Sequence, residues 1–167
     1  MPRTVIIREC SYVNSKGEKC GKNEALPSSF FCNYHLNRVY NLTVKKSSIP
    51  NAGNGLFAGK RRFKKGEIIG EYSRYDIQTK YKCDKYKSDK LAHECSSYIY
   101  CNKNVCWDAK YYPSIITRYS NDSRSKKNNA FFEDYRGRAF MIASKTIPAG
   151  KEIFTDYGDD YVWSFLL

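Results

Sequence analysis

The 167-residue sequence lacks the usual marks of a membrane or secreted protein. It has no run of about 20 apolar residues, the length that a membrane-spanning helix needs. Its first ten residues, MPRTVIIREC, lack the apolar segment of a signal peptide. We therefore expect an intracellular protein, and we expect its seven cysteines to be thiols or metal ligands rather than disulfides.

The sequence also lacks internal repeats and any alternation of strands with helices. Its apolar residues fall in short β-branched and aromatic pieces, which are typical of strands: GLFA, EIIGEY, SYIYC, VCWDA, SIITRY, RAFMIAS and EIFTDY. The polar, lysine-rich stretch at 76–95 is the exception, and it indicates a helical or irregular insert. The pattern predicts a mostly β fold of small sheets.

Acidic residues are scarce, and the net charge of +12 is unevenly distributed. Residues 60–90 hold eleven Lys and Arg against five Asp and Glu, whereas residues 141–167 hold two against four. A basic surface favours a nucleic acid or another acidic partner. A solvated lysine-rich surface without a partner is the alternative.

The first 38 residues have too few apolar side chains for a core of their own, and they contain a candidate metal site. Cys10, Cys20, Cys32 and His35 form the pattern C-x9-C-x11-C-x2-H. Zinc prefers four thiolate or imidazole ligands in a tetrahedron. The turn NSKG lies between the first two cysteines, so a hairpin would bring them together. The pattern predicts a structural zinc site, with three free cysteines as the alternative.

A second group of potential ligands lies further along the chain. It comprises His93, Cys95, Cys101 and Cys106. A second zinc site is conceivable there, but a buried free cysteine also behaves as a small apolar residue. We therefore favour apolar packing for this group.

Four polar or glycine-bearing motifs punctuate the predicted strands. Each is weak alone: G-x-G admits a close approach of backbone to a ligand, and Asn and Asp offer donors and acceptors. In chain order they are GNG at 53–55 with GEIIGEY at 66–72, SYIY at 97–100 with WDA at 107–109, RYSNDS at 118–123, and KEIFTDYG at 151–158.

In this order and spacing the motifs resemble those of the SET-domain protein lysine methyltransferases. The resemblance covers about 44–163. It implies several small sheets around a knot-like crossing, where RYSNDS meets DYG. It also implies a division into a zinc-binding module at 1–38, loosely similar to small Cys3His modules of chromatin proteins, and a SET domain at 39–167 with a variable insert at about 76–97.

The resemblance further implies methyl transfer from S-adenosylmethionine to a lysine, and it assigns roles by position. The implied catalytic residue is Tyr157. The residues implied to bind the cofactor are Gly53, Asn54, Gly55, Tyr98, Asn121 and Asp122. Those implied to line the lysine channel are Tyr72, Thr155, Tyr161 and Trp163. A threonine at 155, where many relatives carry Phe or Tyr, leaves room that favours di- or trimethylation.

The sequence departs from the family pattern at several positions. Asp122 stands where the family has His, Arg74 where it has Gly, and Arg124 where it has Cys. These departures leave open a non-catalytic chromatin or DNA-binding module that keeps the fold.

The expected partners follow from the charge and the resemblance. The substrate would be a histone tail or another basic peptide, drawn to the acidic C-terminal strip, with a non-histone protein as the alternative. The basic body would hold nucleosomal DNA. No membrane partner is expected, a homodimer stays open, and the expected compartment is the nucleus, or the host nucleus if the gene is viral.

Overall fold

The computed structural model describes residues 8–24, 31–73, 78–79, 98–101, 106–112 and 114–158. Within them the chain is mostly β, as the short apolar pieces predicted. The elements are β1 (Arg8–Glu9), β2 (Asn23–Glu24), α1 (Asn33–Tyr40), β3 (Leu42–Lys46), β4 (Asn54–Ala58), β5 (Ile68–Glu71), β6 (Gln78–Thr79), β7 (Ile99–Cys101), β8 (Cys106–Asp108), a 3₁₀ helix (Ile116–Tyr119), β9 (Ala130–Tyr135), β10 (Arg138–Ala143) and β11 (Glu152–Ile153). None of the described helices is long and apolar enough to cross a membrane.

The strands form small antiparallel sheets. Three sheets have three strands each, in the orders β5-β10-β9, β11-β4-β3 and β6-β8-β7, and β1 pairs with β2. Side chains alternate along β10, so Ala139, Met141 and Ala143 face inward. The main core lies where the first two of these sheets meet α1, and Leu36, Leu56, Met141 and Ile153 are all within 1% of full burial there.

A crossing of two chain segments joins these sheets. Residues 153–155 run between two parts of segment 120–130, with parallel bridges that pair Asn121 with Phe154 and Ala130 with Thr155. The Thr155 amide donates to the Asn121 carbonyl (3.0 Å), and the Ala130 amide donates to the Phe154 carbonyl (2.9 Å). The crossing implied by the family resemblance is therefore present.

The helix α1 was not predicted, and it spans the proposed domain boundary at residue 38. Asn33 attaches its first turn to β3 through both side-chain atoms: Nδ2 donates to the Val44 carbonyl (3.1 Å), and Oδ1 accepts from the Val44 amide (3.2 Å). Asn41 ends the helix in the left-handed conformation (φ 56°), which Asn tolerates better than most residues. The division at residue 38 stays a prediction.

Two expectations from the sequence are wrong. The SIITRY piece, predicted as a strand, contains the 3₁₀ helix instead, because the Thr117 hydroxyl donates to the Glu71 carbonyl (3.1 Å) and the Arg118 amide turns back to the Ile115 carbonyl (3.2 Å). Cys101 and Cys106 form a disulfide across β7 and β8, where they are direct neighbours. They are thus neither free thiols nor a second zinc pair. The remaining members of that group, and the 76–95 insert apart from β6, lie outside the described residues.

Glu152, at the start of β11, holds the loop that precedes β4. Its side chain is buried, and its Oε1 accepts from the Ser47 hydroxyl (2.6 Å). Oε2 accepts from the Ser48 amide (2.8 Å) and the Ser48 hydroxyl (2.5 Å). A Cβ on Gly55 would lie 2.1 Å from Oε1, so glycine is required there to make room for this carboxylate.

We predict that Glu152→Gln lowers the free energy of unfolding by about 2 kcal/mol, because an amide NH₂ replaces one acceptor that faces hydroxyl and amide donors. Urea unfolding measures the change. Glu133→Gln is the matched control, since Glu133 is exposed on β9. Equal stabilities of the two variants would contradict the anchoring role of Glu152.

Candidate active site and metal centre

The four predicted metal ligands come together. One ligand atom from each of Cys10, Cys20, Cys32 and His35 lies within 4.8 Å of all the others. His35 Nδ1 is 3.4 Å from the sulfurs of both Cys10 and Cys32, and the sulfurs of Cys20 and Cys32 are 4.0 Å apart. The edges of a tetrahedron with ordinary Zn–S and Zn–N bonds are about 3.6 to 3.8 Å. The donor set therefore fits zinc in both chemistry and size.

Short-range backbone contacts build this cluster. The NSKG turn closes a hairpin in which Val13 pairs with Lys19 and the Cys20 amide donates to the Tyr12 carbonyl (3.0 Å). The Cys32 amide donates to Cys10 Sγ (3.3 Å), and the Tyr12 ring stacks on the His35 imidazole at 3.8 Å between centroids. The hairpin predicted from the glycine turn is confirmed, and the ring stacking fixes the orientation of the imidazole.

The electrostatics of the cluster also suit a cation. Burial raises the pKa of the Cys32 thiol, and the neighbouring Cys10 raises it further. Burial opposes ionisation of Cys10 too, but the amides of Cys32 and Tyr12 outweigh it and lower that pKa. Burial, with Arg38 and Lys22 nearby, lowers the pKa of His35 and keeps its imidazole neutral. A divalent cation would remove the conflict between the two thiolates.

The glycine loop at 53–55 lies against the crossing. Gly53 has φ of 72°, and among the described residues no atom beyond its chain neighbours lies within 4 Å of the position of a Cβ. Its carbonyl accepts from the Ser47 amide (2.9 Å). The Asn54 carbonyl accepts from Asn121 Nδ2 (3.0 Å). This bond ties the loop to the RYSNDS segment.

Asp122 is buried, and its carboxylate accepts from three protein donors. Oδ1 accepts from the Arg124 amide (2.7 Å) and from Asn128 Nδ2 (2.9 Å). Oδ2 accepts from the Tyr157 amide (3.1 Å). The residue that replaces the family histidine thus holds together its own loop and the DYG segment.

Tyr157 is attached to the RYSNDS segment at both ends. Its amide meets Asp122, and its hydroxyl donates to the Ser120 carbonyl (2.9 Å). Ser120 in turn donates through Oγ to the Ile153 carbonyl (3.1 Å). The predicted catalytic residue therefore has a defined side-chain orientation.

Tyr72, Tyr100 and Phe132 pack together near Tyr157. Tyr72 is buried, donates its hydroxyl to the Tyr98 carbonyl and packs edge-on against Tyr100 and Phe132. Burial raises the pKa of Tyr72 well above its usual value, and Tyr157 lies near enough to add to the rise. Burial likewise raises the pKa of Tyr100 to about 12. Both phenols are therefore neutral at physiological pH.

The structure groups most of the predicted site residues. Thr155 is buried directly before the DYG turn, and its Oγ1 has no hydrogen-bond partner among the described residues. Tyr161 and Trp163 lie outside the described residues, as do the acidic positions 159 and 160. The catalytic, cofactor and channel roles of all these residues stay predictions.

Sequence reasoning missed two residues of the site. Arg118 places its guanidinium 3.9 Å from the centre of the Tyr98 ring, and its Nη1 donates to the Lys110 carbonyl (3.0 Å). Asn129 bonds β11 through both side-chain atoms, to the Glu152 carbonyl and the Phe154 amide (2.9 Å each). Arg118 opens the RYSNDS motif and could have been singled out. Asn129 has no such signal, because its partners lie 23 and 25 residues away.

These features define a mostly β protein in which one chain crossing holds both a glycine loop, through Asn121, and a tyrosine, through Ser120 and Asp122. A family model of the SET domain matches residues 53–158. The chain therefore belongs to the SET-domain family.

Two solved structures are similar to this chain. The methyltransferase domain of human PR domain-containing protein 2 matches with a TM-score of 0.51 and 17% identity, over 78% of this chain and 87% of that one. A chain of ctPRC2, in an autoinhibited conformation bound to S-adenosylmethionine, matches with a TM-score of 0.49 and 22% identity, over 73% of this chain but only 16% of that one. At these identities the likeness shows the fold alone.

We predict that the purified protein holds one zinc ion and that Cys20→Ser or His35→Ala removes it, because three ligands hold zinc far less tightly than four. Elemental analysis gives the metal content, and thermal unfolding before and after chelation gives the stabilisation. Cys95→Ser, from the alternative ligand group, is the control. Loss of zinc from that control with retention in Cys20→Ser would place the metal elsewhere.

Proposed function

We propose that the protein is a protein-lysine N-methyltransferase that uses S-adenosylmethionine, with a histone tail as its preferred substrate. The observation that carries the proposal is the anchoring of Tyr157 at the crossing, to which Asn121 also ties the glycine loop. We also propose a structural zinc ion on the Cys10–Cys20–Cys32–His35 cluster and a nuclear location.

When bound, S-adenosylmethionine supplies a methyl group on a positively charged sulfur. The backbone of Gly53 and Asn54, with Asn121 behind them, would hold it. The Tyr157 hydroxyl donates its hydrogen to the Ser120 carbonyl. Toward a lysine amine, the same oxygen would therefore act as a hydrogen-bond acceptor. Such acceptance would hold the amine nitrogen, and its lone pair, in line for attack.

The target lysine must lose its proton before it can react. Its pKa in water is about 10.4. The buried, neutral phenol of Tyr72 offers little solvation to an ammonium group, and the nearby Arg118 cation repels one. Both effects favour the neutral amine in the channel. Thr155 is smaller than the Phe or Tyr of many relatives, and we propose on that ground that the protein di- or trimethylates its substrate.

We predict that Tyr157→Phe lowers turnover on histone peptides by about 100-fold or more while the affinity for S-adenosylmethionine stays within twofold, because only the orienting oxygen is lost. Radiolabelled methyl transfer and calorimetry are the measurements. Tyr135→Phe, at an exposed tyrosine of β9, is the control.

Two outcomes would count against the proposal. If wild-type protein binds no S-adenosylmethionine by calorimetry, the non-catalytic chromatin or DNA-binding module becomes the better description. If it transfers methyl groups to other proteins but not to histones, the reaction stands and the substrate is wrong. Mass spectrometry of the modified proteins separates these cases.

We also propose that a basic surface formed by Lys64, Lys65, Lys126, Lys127 and Lys145 binds the DNA of the nucleosome. The loop around Lys64 lies against the turn around Lys145, because Phe63 pairs with Ile147 and the Gly66 amide donates to the Ala143 carbonyl (2.8 Å). Lys145 Nζ then donates to the Lys126 carbonyl (2.8 Å). Three exposed loops thus bring their lysines to one side of the molecule.

Among the described residues, Glu67 lies beside this basic surface, and its carboxylate already has partners. Glu67 accepts from Arg61 (2.5 Å) and from the Lys64 amide (2.8 Å), and these bonds lower its pKa despite its partial burial. The charge of Lys64 contributes to the lowered pKa of Glu67, so this carboxylate offsets part of the positive charge at one end of the surface. By contrast, Asp156 is exposed next to Tyr157, where it would attract a basic peptide.

We predict that changing Lys64, Lys65, Lys126 and Lys127 to Gln weakens DNA binding and makes its logarithmic salt dependence shallower by roughly 3 to 4, since each phosphate contact contributes about 0.9 to that slope. Fluorescence anisotropy with a DNA duplex at several salt concentrations measures this. A variant with Lys16, Lys19, Lys45 and Lys46 changed to Gln loses the same charge. An equal effect in both variants would mean that net charge, and not this surface, binds DNA.

A further inference from the structure

Asp122 carries a role that neither the motif nor the family pattern assigns. The motif places it among cofactor-binding residues. Its side chain, however, is only 9% exposed, and both carboxylate oxygens meet protein donors. The donors come from its own loop (the Arg124 amide and Asn128) and from the far side of the crossing (the Tyr157 amide).

We propose that Asp122 is a positioning residue that sets the backbone of Tyr157, and that it does not bind the cofactor. This inference rests on the proposed function, in which Tyr157 orients the lysine amine. Tyr157 is held at two points by residues 120–122. Its backbone amide donates to Asp122 Oδ2, and its side-chain hydroxyl donates to the Ser120 carbonyl. Rotation of the backbone at residue 157 would therefore pull the hydroxyl from its partner.

The loop around Asp122 is itself braced. Asn128 donates to Asp122 Oδ1 and accepts through its own Oδ1 from the Ser123 amide (3.0 Å) and the Ser123 hydroxyl (2.6 Å). The carboxylate thus has a fixed location from which to hold Tyr157. A charged acceptor also makes a stronger bond to an amide than a neutral one does.

The arrangement of donors around Asp122 indicates which substitution removes only the bond to the Tyr157 amide. In Asp122→Asn the single side-chain oxygen can keep the two donors that now meet Oδ1. The NH₂ group would then face the Tyr157 amide, so two donors would oppose each other. The variant keeps the size of the side chain and its loop contacts while it removes the bond to Tyr157.

The test combines kinetics with a readout that does not need activity. We expect Asp122→Asn to lower turnover about 100-fold, the effect of a misplacement of about 1 Å at a reacting group. The affinity for S-adenosylmethionine and the KM for the peptide should change less than twofold. In ¹⁵N-tyrosine-labelled protein, the Tyr157 amide proton should move upfield and exchange faster with solvent. Asp134→Asn, at an exposed aspartate of β9, is the control.

Contrary results are equally defined. If Asp122→Asn binds S-adenosylmethionine tenfold more weakly but keeps its turnover at saturating cofactor, Asp122 is a cofactor ligand. If the Tyr157 amide resonance shifts but turnover is unchanged, Asp122 does not position Tyr157 for the reaction. If Asp122→Asn fails to fold, Asp122→Glu, which moves the carboxylate by one methylene, is judged by the same criteria. If the wild type transfers no methyl group but the Tyr157 amide shifts in the variant, the proposed function fails and the positioning geometry stands.

Discussion

The crossing of segment 120–130 with segment 152–157 is the constraint on which the rest of the structure depends. Its bonds include backbone pairs on both sides of β11, the side-chain bonds of Asn129, and the contacts of Ser120 and Asp122 with the DYG turn. Neither segment could hold its conformation alone, because each supplies the hydrogen-bond partners of the other. The glycine loop joins this arrangement through Asn121, so the pocket forms only when the fold is complete.

The helix α1 connects the candidate zinc centre to the same core. His35 belongs to the ligand cluster, while Leu36, the next residue, is buried in the main core. Because Asn33 is bonded to β3, three of the first four residues of the helix (Asn33, His35 and Leu36) hold it in place. Zinc binding and packing of the SET core should therefore be coupled thermodynamically, because a ligand that binds only the folded state stabilises it.

The sequence predicts best what depends on local pattern. The strand pieces at β4, β5, β8 and β10 are confirmed, and along β10 the alternating burial of side chains fits a pleated sheet. The helix α1 escaped notice because most of NYHLNRVY is Asn, Tyr, His and Val, which have low helix propensity. Contacts with β3 and the ligand cluster stabilise it instead. The 3₁₀ helix and the Cys101–Cys106 pair depend on distant partners or on exact strand register, which no local pattern encodes.

Two buried carboxylates give the site much of its order in a chain with a large positive charge. Glu152 fixes the approach to the glycine loop, and Asp122 fixes the tyrosine; each accepts three hydrogen bonds. A buried carboxylate costs free energy unless such donors surround it, so each imposes one arrangement on the backbone around it. Both stand in motifs that suggest ligand binding. Their described contacts all run to the protein's own donors, so both carboxylates fix the conformation of the loops that carry these motifs.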